Sequence, residues 1–176
     1  TYFKDHPEYF VLLNGKRTGV GNHLCASNKE VREIIRKNIE SLFASGYDLV
    51  QLGQSDGYPG CECDECRKLS NVSGAKDANG KLINEFTGEP IHDLARWVAE
   101  QLVDKYPGKY IHLLVYAETS TPPKKFQTYP KNVVCEFAGS ASPELISRWD
   151  GRTTPGGTVY TPWHWVDFGV GIGVKM

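Results

Sequence analysis

Two patterns of hydrophobic residues alternate along the first two thirds of the chain. At residues 31–43, and again at about 91–106, apolar side chains recur every three or four positions, which is the spacing of one helix face. Apolar runs at 47–53 and 110–117 follow these segments and are typical of strands in a parallel sheet. We therefore predict helix, strand, helix and strand in this order.

Short motifs mark where these helices begin and end. Ser27-Asn28-Lys29-Glu30 forms a capping-box pattern, in which Ser27 caps the first turn and Glu30 reaches back to it. Gly46 is placed to end the first helix, and Pro107-Gly108 ends the second. The bounds of the first helix are thus predicted at both ends.

The last part of the chain adds two strands and a short helix. We predict strands at 132–138 and 157–165, with a helix that begins at Ser142-Pro143 between them. This alternation favours an α/β fold built of parallel β/α units. A complete TIM (β/α)8 barrel needs about 250 residues, so the predicted strands make up about half of one, and a small doubly wound sheet is the alternative. We expect residues 1–176 to be a single partial (β/α)-barrel domain that further chain segments complete.

A long loop at about 57–89 carries three closely spaced cysteines, Cys61, Cys63 and Cys66. Loops of this length inside a domain are usually functional or fixed by a cross-link. The spacing suits three thiolate ligands of one ion, and Cys25 is the candidate for the fourth ligand of a tetrahedral zinc. Disulfide bonds between these cysteines are an alternative to zinc that the spacing supports equally. In both cases we expect a structural cross-link and no cofactor for catalysis.

Carboxylates stand where predicted strands end. Asp56 follows the strand at 47–53 and Glu118 the strand at 110–117, whereas Glu136 lies inside the next strand and Asp167 follows the last. In a parallel barrel the carboxyl ends of all strands open onto the active-site face. Glycoside cleavage uses two carboxyl groups across the scissile bond, so we predict Asp56 and Glu118 as catalytic residues. Asp56 also fits a turn residue of Ser-Asp-Gly.

Aromatic and histidine side chains near the same strand ends are candidates for substrate contacts, because aromatic rings can stack on the apolar faces of sugars. The predicted substrate-binding residues are His23, Tyr58, Tyr116, Trp163, His164 and Trp165. For each of them, packing inside the protein is the structural alternative.

Composition argues against two classes of partner. The formal net charge is -1 and the pI is near 6.5, so there is no basic surplus to bind the phosphates of nucleic acid. No apolar run approaches the roughly 18 residues that indicate a membrane span. We expect neither binding of nucleic acid nor a membrane span.

Several motifs occur together in a fixed order. They are the segments 6–10, 14–17 and 24–31, then Ser55-Asp56-Gly57 with the three-cysteine cluster, then Tyr116 with Thr119 and Pro122-Pro123-Lys124. This set resembles the bacterial domain-of-unknown-function family 4838, over roughly residues 6 to 135. Members look like barrel relatives of the α-glucuronidases and β-hexosaminidases, and some belong to glycoside hydrolase family 163, the endo-β-N-acetylglucosaminidases.

The resemblance implies a secreted or periplasmic bacterial enzyme that cleaves β-linked N-acetylhexosamine in glycans. By analogy with hexosaminidases, the substrate's acetamido group would be the nucleophile and Asp56 would orient it. Hexosaminidases carry Asp-Glu at this strand end, whereas here Gly57 follows Asp56. The general acid/base is therefore assigned to Glu118 on the next strand.

Three other functions remain open at this point. A hydrolase of uronic-acid glycans, similar to α-glucuronidases, needs a cation for the substrate carboxylate, and Arg152 is the candidate. A non-catalytic carbohydrate-binding module would bind glycans without turnover. A zinc-stabilised interaction domain would lose its fold on chelation and bind no sugar.

Overall fold

The computed structural model describes residues 2–85, 87–137, 142–154 and, for the backbone alone, 158–160. Helices and strands alternate along most of this range. In chain order they are helix α1 (Tyr2–Asp5), strands β1 (Leu12–Leu13) and β2 (Lys16–Arg17), α2 (Lys29–Ala44), β3 (Leu49–Gln51), α3 (Asp64–Ser70), α4 (Glu89–Leu102), β4 (Tyr110–Val115), β5 (Val133–Phe137), α5 (Pro143–Arg148) and β6 (Thr158–Tyr160).

Within these residues, four strands form one parallel sheet in the order β3-β4-β5-β6, so neighbours in the sheet are also successive in the chain. Val50 pairs with Ile111, Ile111 with Val133, and Cys135 with Thr158. Parallel neighbours need long crossover connections, and helices α4 and α5 lie in two of them. The predicted α/β class and the parallel pairing are confirmed.

Helix α2 begins with a different cap from the one that its motif predicts. The side chain of Asn28, not that of Ser27, accepts the backbone N–H of Val31 at 3.0 Å. Ser27 is unsuited to this role because its hydroxyl lies 3.0 Å from the sulfur of Cys66. The predicted end is confirmed, since α2 stops two residues before Gly46, whose φ of 105° favours glycine.

The segment 57–89 is not the continuous loop that its composition predicts, because it contains the seven-residue helix α3. Only Cys66 and Ser70 of this helix are buried. Such a short helix with a mainly charged surface shows no helical period of apolar residues, which is why the sequence pattern misses it. Helix α3 packs against α4 and brings Cys63 and Cys66 to the same end.

The two faces of the sheet differ. Alternate residues of a strand point to opposite faces, and one face is buried with α2, α4 and Trp149 in a single core, which contains Ile111, Leu113, Val115, Val133, Cys135 and Phe137. The other face is only half-buried and carries His112, Leu114, Val134 and Glu136. There, Nε2 of His112 lies 2.7 Å from Oε2 of Glu136.

Among the helices of the described ranges, none combines the length and the apolar character that crossing a bilayer requires. The first long helix, α2, has 16 residues, against about 20 for a helical span.

Candidate functional site

Four cysteines from three segments meet in one cluster, which we call the cysteine centre. Cys25 precedes α2, Cys61 lies in the loop after β3, and Cys63 and Cys66 lie at the start of α3. Their sulfur atoms all lie within 4.8 Å of one another. The sequence prediction that these four side chains act together agrees with this geometry.

The cysteine centre is a set of free thiols. The sulfur of Cys25 lies 3.6 Å from that of Cys61, 3.6 Å from that of Cys63 and 3.7 Å from that of Cys66. A disulfide bond would need about 2.05 Å, and all four cysteines are unpaired. Of the two alternatives left by the sequence, the structure has the one without bridges. The four sulfurs could hold a metal ion.

Polar groups surround these sulfurs and stabilise negative charge on them. The backbone N–H of Leu12 donates to Cys61 at 3.3 Å, and the Arg17 guanidinium lies 3.9 Å from the same sulfur. The hydrogen bond from Cys61 lowers the pKa of Cys25 to about 6. The hydrogen bond from Cys25 lowers the pKa of Cys63 as well. The hydrogen bonds with Cys25 raise the pKa of Cys61 and that of Cys66. Thiolates, which are the metal-binding form of cysteine, are therefore favoured at Cys25 and Cys63, and the other two thiols keep their protons until an ion displaces them.

A second group of residues lies at the carboxyl ends of β3 and β4. We call it the carboxyl edge, comprising residues 53–58 and 116–120. The side-chain amide of Gln54 joins its two halves, since Nε2 donates to the carbonyl oxygen of Tyr116 and to Oε2 of Glu118, both at 3.0 Å. Glu118 is exposed and lies in the 3-10 turn Ala117–Ser120. Ala117 has a φ of 47°, a strained backbone that is often found at functional sites.

Glu118 borders a cleft of about 280 Å³ that is lined by Thr87, Gly88, Glu89, His92 and Thr121 among others. Gly88 is needed for this arrangement, because a Cβ atom there would clash with the carbonyl oxygen of Glu118. Glu89 is only 4% exposed and accepts the backbone N–H of Lys124 at 2.6 Å. The turn with Glu118 is thus seated closely on the start of α4.

His92 holds the connection between β4 and β5 in place by two hydrogen bonds. Its Nε2 donates to the carbonyl oxygen of Thr121 at 2.9 Å, and its Nδ1 accepts the hydroxyl of Tyr129 at 2.6 Å. This assigns the Nε2–H tautomer, because a carbonyl only accepts. Burial lowers the pKa of His92 to about 4, so the ring is neutral at pH 7.

Two of the predicted residues near the end of β3, His23 and Tyr58, contact each other. Asp56 is exposed in the turn after β3. Nδ1 of His23 lies 2.7 Å from the hydroxyl oxygen of Ser55, and its ring meets that of Tyr58 edge to face at 5.8 Å. His23 and Tyr58 are 8% and 6% exposed. They therefore shape this strand end from inside instead of offering an open sugar platform.

On the neighbouring strand, the ring of Tyr116 is 42% exposed at the same edge as Glu118. Tyr116 is thus the predicted aromatic residue with a free surface at the carboxyl edge. Trp163, His164 and Trp165, the remaining predicted contacts, lie outside the described residues.

Arg152 has a role within the fold. Its Nη1 donates to the carbonyl oxygens of Pro123, Phe126 and Gln127 at 3.1 to 3.3 Å. These bonds fix the connection between β4 and β5. These bonds use one of the three guanidinium nitrogens, and the uronic-acid alternative stays a prediction.

Sequence reasoning missed Gln54, Glu89 and His92 at this edge. Gln54 directly follows the apolar run at 47–53, so its place at a strand end could have been found. Glu89 and His92 lie one turn apart on a helix, and their approach to Glu118 depends on the tertiary packing of Gly88.

Comparisons with known proteins agree with this picture only at the level of the family. No curated protein and no solved structure matches the chain. The model of the family described as a domain of unknown function (DUF4838) matches residues 1–146. This range includes the cysteine centre and the carboxyl edge, and the chain belongs to that family.

Proposed function

We propose that this protein is a glycoside hydrolase that acts on β-linked N-acetylhexosamine in glycans. Glu118 is the general acid/base, and Asp56 on the neighbouring strand end orients the acetamido group of the substrate, which acts as the nucleophile. The proposed location is extracellular or periplasmic. The partner is a glycan, and catalysis needs no cofactor.

The observation that carries this proposal is the setting of Glu118. Its carboxylate is exposed above a cleft at the carboxyl edge and is held by the neutral side chain of Gln54 at 3.0 Å. The amide donor fixes the orientation of this carboxyl group. A general acid/base must lie within hydrogen-bond reach of the substrate atom that exchanges the proton, and an exposed carboxylate at the border of a cleft can do so.

The architecture supports the same proposal. In a doubly wound sheet the strand order reverses and helices cover both faces, whereas here the order is sequential and the core lies on one face. A closed barrel has sequential strands, outer helices and an inner face of its own. We therefore propose that the sheet is an arc of a (β/α)8 barrel completed by further chain segments.

The test is turnover of a chitobiose-containing glycan by the full-length protein and two variants. We expect Glu118→Gln and Asp56→Asn each to lower kcat by about 100-fold or more, the range that acid–base groups contribute. Asp104→Asn is the control, because Asp104 is exposed near the amino end of β4. Turnover close to wild type in both edge variants would reject the assignment.

We also propose that the cysteine centre holds a structural zinc ion. Four sulfurs at about 2.3 Å from one zinc ion would lie about 3.8 Å apart in a tetrahedron. The sulfur of Cys25 lies 3.6 to 3.7 Å from the other three, which is close to this value, and all four lie within 4.8 Å of one another. With four thiolates bound, no position is left for a substrate. Metal analysis of the purified protein should give one zinc per chain, and Cys66→Ser should lose it. A wild-type protein without metal would contradict the proposal.

A further inference from the structure

Ser27 lies against the cysteine centre and contacts three of its four sulfurs. Its hydroxyl oxygen lies 3.0 Å from the sulfur of Cys66, 3.4 Å from that of Cys63 and 3.5 Å from that of Cys25. An oxygen that is close to three sulfurs lies on one side of the triangle that they form. The sulfur of Cys61, which is 3.6 Å from that of Cys25, takes the other side.

The Cys61 side of the cluster is covered by the hairpin of β1 and β2. The backbone N–H of Leu12 donates to the sulfur of Cys61 at 3.3 Å, and the Arg17 guanidinium lies 3.9 Å from it. Cys61 is only 2% exposed, whereas Ser27 and Cys63 are half-buried. The cluster is thus closed on the Cys61 side and closer to solvent on the Ser27 side.

Ser27 also lines a groove of about 600 Å³, whose other walls come from α2, α3 and α4. Leu69 and Trp97 give this groove an apolar surface. None of the described residues that line it is a cysteine, so Ser27 is the residue that the groove and the sulfurs share. A space of this volume lies within the range that holds drug-sized molecules.

The charged side chains of the groove do not make it a second metal site. Its carboxylates are engaged in ion pairs, which are Arg32 with Asp93 at 2.5 Å, Lys68 with Glu65 at 2.6 Å and Arg36 with Glu33 at 3.0 Å. Within the described residues, the four cysteines are the group that could hold a metal ion. A cation that enters the groove therefore finds its ligands at the sulfurs.

A metal ion with four thiolate ligands can be reached only through a triangular face of its ligand tetrahedron. The faces that include Cys61 meet the hairpin. The remaining face is formed by Cys25, Cys63 and Cys66, and the Ser27 hydroxyl lies over it. Because thiolate sulfurs only accept hydrogen bonds, this hydroxyl is the donor, and such donors hold metal ligands in place.

We propose that Ser27 is the gate of the cysteine centre, and that the metal ion is exchanged through the groove between α2, α3 and α4. The hydroxyl donates to the Cys66 thiolate and has to rotate away before a chelating ligand, such as a small thiol, reaches the ion. In each step one metal–sulfur bond breaks as a bond from the metal to the incoming ligand forms, without a change of oxidation state. The inference rests on the proposed zinc site and is independent of the glycosidase proposal.

The test is the rate of zinc release from the zinc-loaded full-length protein to a pyridylazo chelator, followed by absorbance. The wild-type rate should rise in proportion to the chelator concentration, because the chelator attacks through the groove. Ser27→Ala removes the hydroxyl and should release zinc about tenfold to 100-fold faster, the range known for outer contacts of metal ligands. Ser27→Thr keeps the hydroxyl and adds a methyl group at the gate, so it should release zinc more slowly than wild type. Ser41→Ala is the control, because Ser41 is exposed on α2 and lines no part of the groove.

The opposite signs expected for the two Ser27 variants distinguish a gate from a contact that only stabilises the fold. Faster release from both variants would overturn the inference, because any loosening of the structure has this effect. Release that does not depend on the chelator concentration would overturn it as well. A wild-type protein that binds no zinc would reject the zinc site and the gate together, whereas zinc-loaded variants that release zinc as wild type does would reject the gate alone.

Discussion

The cysteine centre and the carboxyl edge are joined by the loop after β3, yet their surroundings are opposite. Cys25, Cys61 and Cys66 are 0 to 2% exposed and contact one another, the backbone and a guanidinium. Glu118 and Asp56 are exposed at the rim of the sheet. A closed set of buried ligands suits a structural role, and an exposed carboxylate above a cleft suits chemistry.

The two regions also depend on each other, because the loop after β3 contributes residues to both. The loop after β3 contributes Asp56 and Tyr58 to the carboxyl edge and then Cys61 to the cysteine centre. An ion at the sulfurs would fix the far end of this loop. The cysteine centre would thus position the carboxyl edge without taking part in the reaction.

The largest effect that we predict is the loss of the cysteine centre. Cys66→Ser, or removal of the ion by a chelator, should lower the free energy of unfolding by roughly 5 kcal/mol or more, because binding of a structural ion is coupled to folding. Denaturant unfolding with and without the chelator measures this. Cys135→Ala, in the same core but outside the cluster, should keep its metal and lose only about 1 kcal/mol. Equal losses in the two variants would argue against a metal-linked fold.

A smaller effect on the free energy of unfolding is expected from pH, because acid protonates His92, which packs next to the carboxyl edge. The pKa of His92 is about 4 in the folded protein, against 6.5 without burial. Between these values the unfolded chain binds a proton that the folded chain excludes, so stability is complete above pH 6.5 and falls as pH drops toward 4. The contribution amounts to about 3 kcal/mol.

Unfolding free energies measured across this pH range would show the effect as a slope. In His92→Gln the slope should become flatter, and in His6→Gln, whose ring is exposed, it should stay as in wild type. The two variants share the cysteine centre, so its own acid sensitivity cancels in the comparison. An unchanged slope in His92→Gln would show that this histidine is not held neutral.

The smallest predicted effect tests how closely the turn that carries Glu118 packs against the start of α4. Gly88→Ala places a methyl group against the carbonyl oxygen of Glu118 and should cost about 2 kcal/mol of stability. Turnover should fall by about tenfold or more, because small displacements of a catalytic group are costly. In Gly53→Ala the new methyl group would lie 3.7 Å from Cβ of Leu114, an ordinary contact. Similar losses of stability and turnover in both variants would show that the close contact between Gly88 and the turn of Glu118 is not what holds this residue in place.

Much of this fold can be predicted from local patterns. The apolar stripe of α2, the runs of β3 and β4 and the stop at Gly46 depend on neighbouring residues, and the structure has each of them. The four cysteines could be grouped because thiolate ligands have recognisable spacing. What the sequence could not provide are the contacts between distant segments.

The sequence pattern places the cap of α2 at the wrong residue and misses the neighbours of Glu118, because both depend on contacts between distant segments. Ser27 fits a capping motif locally, but its hydroxyl lies at the sulfurs from a loop more than thirty residues away. Gln54 and Glu118 are 64 residues apart in the chain. The second pairing follows from the register of β3 and β4, the first from the packing of α3, and residue type alone encodes neither.

The proposed division between a structural centre and a catalytic edge can be tested with one sample. In Glu118→Gln of the full-length protein, metal content, melting temperature and turnover of a chitobiose-containing glycan should be measured together. We predict one zinc per chain, a melting temperature equal to that of wild type, and turnover lowered by about 100-fold or more. Wild-type turnover in a fully metal-loaded sample would contradict the account.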